Sequence, residues 1–241
     1  MIRGVLTLVT FVVATLILGP IAIVGALVMG RPDFVFAMGK IWARAHMAAM
    51  GIKPVYHGLE HAGGTAPRIF LSNHISNLDI WAVVPALPVT TRFVAKRTIF
   101  WIPVLGQAMK VADFIAIDRK DRASAIRSLG RAAERIRAGA SVILFPEGTR
   151  SRDGKLAPFK RGSFHLALDA GVPIVPIAIS GTYDVLRPRS IVVRPGPVHV
   201  MFAPPVDVAP FKNDLDGLVA KVHAEIAALL PQDQLADVPE R

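Results

Sequence analysis

The sequence predicts an α/β fold, a mixed sheet flanked by helices, with an N-terminal hydrophobic helical membrane segment. Three observations carry this. Residues 4–30 contain no charged side chain. From about residue 52, short apolar runs alternate with helical stretches, the pattern of a sheet with helices on its faces. Two polar clusters follow apolar runs directly, where strands of such a sheet end and ligands bind.

The N-terminal run, GVLTLVTFVVATLILGPIAIVGALVMG, exceeds the roughly 20 apolar residues that span a bilayer core. A cleaved signal peptide has a shorter apolar centre, and a buried core helix is the other soluble reading. Pro20 lies inside the run. It predicts either one kinked spanning helix or two shorter helices that enter one leaflet and return. Cations flank both ends, Arg3 before and Arg31, Lys40 and Arg44 after, which favours the returning pair. Residues 33–50 read as a further helix with Phe, Ile, Trp and Met on one face.

Beyond it, strands are predicted at 53–57, 67–72, 91–95, 113–117, 141–145, 173–179, 191–194 and 197–202. Helices are predicted at 77–87, 103–110, 121–138, 161–170 and 214–230. The chain thus divides into N-terminal membrane-associated helices (1–50), an α/β domain (51–210) and a C-terminal helix and tail (211–241).

The chain has no cysteine, which excludes disulfides, thiolate catalysis and Cys-type zinc sites. Its formal net charge of +10 suits an anionic partner. Dense basic runs are few and there are only two Tyr, so nucleic acid is not the expected partner. The long apolar run points instead to a membrane or something dissolved in one.

In LSNHISNLDI, residues 71–80, His74 and Asp79 straddle the passage from a strand to a helix. Along one straight helix five residues would leave them about 140° apart. With His74 on the turn and Asp79 in the first helical turn, the carboxylate can meet one imidazole nitrogen. That leaves the other nitrogen as a base. The alternative is a capping Asp beside an unrelated surface His. Ser76 or Asn77 suits the helix N-cap.

SVILFPEGTRS, residues 141–151, repeats the arrangement: a buried strand, then Glu147, Gly148, Thr149 and Arg150 at its carboxyl end. Gly148 permits close backbone approach, and Arg150 offers a planar fork for phosphate oxygens. A surface turn with solvated charges is the alternative. Lys96 and Arg97 follow one predicted strand and Arg119 another, each placing a cation past a strand end. VPIVPIAI, residues 172–179, is either an edge strand lining an acyl groove or simply core.

These residues carry a resemblance. Residues 73–79, NHISNLD, resemble the NHxxxxD motif of the glycerolipid acyltransferases, and residues 145–151, FPEGTRS, resemble their second motif. Phe159-Lys160-Arg161-Gly162 is similar to the FKxG that follows it, and Lys96 to Arg119 and Val172 to Ile179 are similar to two further blocks. The resemblance covers about residues 50–205 and is closest to the bacterial lysophosphatidate acyltransferases. It implies His74 as general base and Asp79 as its orienting partner. It implies Glu147, Gly148, Thr149 and Arg150 as binders of the glycerol phosphate, with Lys96, Arg119 and Lys160 as further substrate-binding cations. It implies an acyl-CoA or acyl-carrier-protein co-substrate and no metal or prosthetic group. It also implies lysolipid and phospholipid partners, and a catalytic domain on the cytoplasmic side of the inner membrane.

Two departures bear on the acceptor. Arg97-Thr98-Ile99 stands where many relatives carry an acidic residue and Leu, and Ala112-Asp113 where many carry paired glycines. Other lysolipids, such as lyso-ornithine lipid, or glycerol 3-phosphate remain alternative acceptors. An ester or thioester hydrolase and a non-catalytic anionic-lipid binder are the rival classes.

Overall fold

The computed structural model describes residues 2–118 and 121–235. Its first helix, α1 (Ile2–Met29), is continuous through Pro20. The expected division of the run at Pro20 is therefore corrected. A proline removes one helical hydrogen bond, and here neighbouring residues pack α1 on both sides of it. Gly19 lies under Val104, and Ala22 and Ala26 pack with Ala108 and Ala112. The chain turns at residues 30–32 and returns as α2 (Asp33–Met50). The helical pair is thus α1 with α2, not two halves of α1. Trp42 Nε1 donates to Thr15 Oγ1 at 3.0 Å across the pair. Gly51, at φ +71°, ends α2 in the left-handed conformation that glycine adopts freely.

The α/β body follows as β1 (Val55–His57), α3 (Leu59–Ala62), β2 (Ile69–Ser72), α4 (Leu78–Val83), β3 (Thr91–Lys96), α5 (Leu105–Val111) and β4 (Ile115–Ile117). It continues as α6 (Arg122–Arg137), β5 (Ser141–Leu144), α7 (Gly162–Ala170), β6 (Ile174–Ser180), α8 (Thr182–Val185), β7 (His199–Phe202) and α9 (Leu215–Leu229). The strands form one sheet in the order β1-β7-β6-β2-β5-β3-β4. β7 is antiparallel to β6 and parallel to β1, so these two run against the other five and the sheet is mixed.

The central strands are buried on both faces, which is why they read as unbroken apolar runs. One face holds Phe70, Phe93 and Ile143 against α2 and α4; the other holds Ile69, Val94 and Leu144 against α6, α7 and α9. The hairpin and the C-terminal helix share these cores. The divisions at 50 and 210 therefore mark changes of element, not separate cores.

One sequence expectation is corrected, and of the two readings of residues 172–179 the core reading holds. Residues 191–194 form no strand but pass as extended chain beside α1, the Ile191 carbonyl lying against Gly4. β6 is not an edge: it lies between β7 and β2. Pro176 fits there because the β7 ladder begins one residue later, at Ile177–Phe202, so no sheet bond needs its missing N–H.

Candidate active site

β2, β5 and β3 are neighbouring parallel strands, so their carboxyl ends lie together. His74 sits on the turn after β2 and Asp79 in the first turn of α4. The turn brings the two together. His74 Nδ1 is 2.8 Å from Asp79 Oδ2, and that oxygen also accepts the Ile75 and Ser76 N–H groups, both at 2.8 Å. Asp79 Oδ1 accepts the Thr182 hydroxyl at 2.5 Å. Three protein donors therefore already converge on a fully buried carboxylate. That network assigns the proton to His74 Nδ1 and leaves the Nε2 lone pair for chemistry. The imidazole also stacks on Phe145 at 4.1 Å between ring centres, which fixes its plane.

Of the two expected caps, Ser76 makes a capping bond and Asn77 does not. Asn77 makes no capping bond; its Oδ1 accepts from Arg150 Nη1 at 2.7 Å. Ser76 Oγ accepts the Leu78 N–H at 3.2 Å and donates to the Leu186 carbonyl at 2.5 Å. Asn73, fully buried, pairs twice with Ile179 of β6: Nδ2 donates to its carbonyl at 2.9 Å, and Oδ1 accepts its N–H at 2.7 Å. The turn is thus bolted to β6 on one side.

On its other side it is held by the second motif. Glu147 Oε1 accepts the His74 N–H at 2.7 Å, and the Ser151 N–H donates to the His74 carbonyl at 2.8 Å. Glu147 is 4% exposed, and its Oε2 has no well-formed hydrogen bond. Burial pushes its carboxyl up to about 8, the His74 and Ala157 amides oppose that rise, and the charges of Asp79 and Asp153 add to it. Its carboxyl is spent on the histidine turn rather than presented to solvent. Gly148, at φ +77°, leaves room for Lys160, whose Nζ would lie 2.8 Å from a Cβ there. Thr149 and Lys160 are exposed, and Arg150 is partly so. Lys96 is the exposed last residue of β3, three beyond the Phe93–Ile143 pair, and Pro146 lies the same number of residues beyond that pair, past the end of β5. The expected cation Arg119 lies outside the described residues.

Two cavities flank these residues on opposite faces of the sheet. One, about 260 Å³, is almost wholly apolar and is walled by α1, α2, α4 and α5, with Phe36, Trp42, Trp81, Phe93 and Phe114 among its lining and Asn77 at its rim. The other, about 210 Å³, runs under Phe145, Pro146, Gly148 and Lys160 toward Ser163. Sequence reasoning missed Thr182, the double bond of Asn73 and the first cavity. Thr182 does follow the end of β6, so the strand-end rule that located the two motifs also points to it.

The arrangement is an imidazole oriented by a buried carboxylate, with a guanidinium and an apolar hollow meeting at Asn77 beside it. Among the described residues no three His, Cys, Asp or Glu side chains are placed to hold a metal.

Comparison with known proteins agrees with this geometry. The chain is 41% identical over 186 residues to a 1-acyl-sn-glycerol-3-phosphate acyltransferase of Limnanthes douglasii, covering 76% of this chain and 66% of that protein. It is 38% identical over 158 residues to the mouse (Mus musculus) 1-acyl-sn-glycerol-3-phosphate acyltransferase alpha, covering 65% of this chain and 55% of that one. The chain thus spans a little under two thirds of the first of these relatives and about half of the second. The crystal structure of the 1-acyl-sn-glycerophosphate (LPA) acyltransferase PlsC from Thermotoga maritima superposes with a TM-score of 0.80 at 25% identity, over 94% of both chains. The Acyltransferase family profile matches residues 53–180, more than half of the chain and both motifs, and the chain belongs to that family.

Proposed function

We propose that the chain transfers a fatty acyl group from a thioester, acyl-CoA or acyl-carrier protein, to the free hydroxyl of lysophosphatidate, giving phosphatidate. One observation carries the reading: Asn77, which lies between His74 and Asp79 in the chain, both accepts from Arg150 and lines the apolar cavity, so a cation and an apolar hollow meet beside the His74–Asp79 pair. A lysophosphatidate or its acyl donor has the matching parts, a charged head and a hydrocarbon tail on either side of the reacting atoms. The names of the relatives support the same acceptor.

His74 Nε2 takes the hydroxyl proton as that oxygen attacks the thioester carbonyl. Asp79 opposes the charge of the imidazolium so formed. The tetrahedral adduct then expels the thiolate, which takes the proton from Nε2. The donor arrives activated, so positioning, a base and charge stabilisation suffice. Arg150, Thr149, Lys96 and Lys160 supply polar and cationic contacts for the acceptor phosphate. Glu147 acts one step back, by holding the His74 turn.

Helix α1 is long, apolar and largely uncovered, and so calls for an apolar surrounding such as a membrane. Its contacts with the body run from Gly4 to Ala26, about 33 Å of helix. A helix bound to the body over that length cannot cross a bilayer without dragging polar surface into hydrocarbon. This supports a hairpin that lies in one leaflet; on the same reading the body faces the cytoplasmic side of the inner membrane, where both donors are found.

Purified protein in mixed micelles, given labelled lysophosphatidate and acyl-CoA or acyl-carrier protein, tests the activity. Phosphatidate is the expected product. A faster reaction with lyso-ornithine lipid or glycerol 3-phosphate reassigns the acceptor. Free fatty acid formed equally with and without acceptor identifies a hydrolase, and bound lipid without any product identifies a binder.

A further inference from the structure

Two loops of the α/β body lie against α1 and expose large apolar side chains beside it. In the first, Val104 presses its Cγ1 onto Gly19, while Trp101 and Ile102 are 72% and 37% exposed. In the second, the Ile191 carbonyl touches Gly4, while the Ile191 and Val192 side chains are 78% and 40% exposed. Gly4 and Gly19 are about 22 Å apart along the helix and within about 60° of the same face. The loops therefore flank α1 at two separated points.

Both loops are held in shape. Val104 and Arg189 have φ of +64° and +66°, a conformation that non-glycine residues adopt only where packing enforces it. The second loop is also pinned by Ser190 N–H to the Arg187 carbonyl at 3.1 Å and Val192 N–H to Ser190 Oγ at 3.0 Å. Exposed isoleucine and tryptophan on an ordered loop, continuous with an uncovered apolar helix, match a surface that meets lipid.

Charge points the same way. Residues 80–112 and 185–206 contain no Asp or Glu, in a chain that has 18. They do carry exposed cations: Lys96, Arg97 and Lys110 near the first loop, and Arg187, Arg189 and Arg194 around the second. Apolar tips rimmed by cations suit the headgroup layer of an anionic bilayer.

We propose that these two loops are bilayer-docking elements: Trp101 with Ile102 and Ile191 with Val192 enter the headgroup layer of an anionic membrane beside α1. The body would then rest on lipid at two points besides its helical hairpin. Those points fix the height and tilt of the crevice over its acceptor. The proposal rests on the membrane attachment of α1 described above.

The cysteine-free chain permits a direct test. Trp101→Cys, Ile191→Cys, Leu16→Cys on the uncovered face of α1 and Lys212→Cys on the distal surface are each made in the full chain and labelled with nitrobenzoxadiazole. Each is bound to phosphatidylglycerol–phosphatidylethanolamine vesicles carrying shallow or deep doxyl lipids. The labels at 101 and 191 should shift to the blue and be quenched more by the shallow quencher, while that at 212 stays in water. If the label at 101 or 191 behaves like that at 212 while that at 16 is quenched, loop docking is overturned and the attachment of α1 stands. If the label at 16 also stays in water, attachment itself fails. Trp101→Asp and Ile191→Asp should each weaken vesicle binding several-fold and leave turnover of short-chain lysolipid in solution unchanged. Unaltered binding in both overturns the proposal.

Discussion

The His74 backbone N–H donates to Glu147 Oε1 at 2.7 Å, joining two residues 73 positions apart in the chain. With the Ser151 N–H on the His74 carbonyl, both backbone polar groups of His74 are satisfied by the second motif. The two motifs are therefore halves of one device. One carries His74, and the other holds the backbone from which its imidazole projects.

Glu147→Gln tests this hold. The amide oxygen can still accept the His74 N–H, so much of the activity should survive, whereas Glu147→Ala should lose most of it. The two variants separate positioning from charge. Stability adds a second readout. The folded pKa, about 8, lies above the ordinary 4.5, so the folded protein keeps a proton that the unfolded chain releases. Wild-type stability from this group is greatest below about pH 4.5 and falls as the pH rises toward 8. Relative to wild type, Glu147→Gln should gain stability across that window, on the order of a few kcal/mol at most. Thermal midpoints in detergent at pH 5.5 and 8.5 would show it; equal differences at both pH values would count against a buried, raised carboxyl.

His74→Ala should reduce acyl transfer by roughly 10²- to 10⁴-fold and leave the fold intact. Asp79→Asn should be similarly severe in kcat, because it removes the charge facing the imidazolium. Single-turnover assays with circular dichroism as a fold control would decide it. Near-normal transfer in either variant would displace the pair from its role.

Thr182→Val removes the one donor to Asp79 Oδ1 that lies outside both motifs. It leaves a buried carboxylate oxygen unpaired, at a cost of about 1–3 kcal/mol. Denaturant midpoints should fall accordingly, and kcat should fall with KM for either substrate little changed. A variant as stable as wild type would show that Asp79 does not depend on this bond.

Arg150→Ala should raise KM for lysophosphatidate far more than KM for the acyl donor. Arg150→Lys should recover only part, since an ammonium lacks the fork that meets Asn77 and a phosphate together. A rise confined to the donor would move Arg150 to the donor site.

How much of this was readable in the sequence depended on distance along the chain. His74 with Asp79, and Glu147 through Arg150, are local patterns at strand ends, and local patterns survive in a linear text. Thr182 and the Asn73–Ile179 pair act across more than 100 residues, through sheet pairing that no window of sequence displays. The apolar cavity is walled by four helices from two parts of the chain, so no single stretch announces it. Residues 191–194 read as a strand because Ile191, Val192 and Val193 form an apolar run, yet among the described residues no strand pairs with them. Pro20 misled because packing on α5 and α2 preserves a helix that an isolated proline would break.

The bonds that orient Asp79 and Asn73 reach forward to residues 179 and 182, so their order of appearance during synthesis matters. α1 is made first, before any strand of the sheet exists. His74, Asp79 and the local amides that hold Asp79 follow early, but Ile179 and Thr182 come about 100 residues later. Contacts of such sequence separation form late and slowly. A growing chain therefore carries its long apolar helix and its histidine for much of its synthesis before these bonds can form. Those alignments are complete only when β6 and the turn after it have packed beside β2.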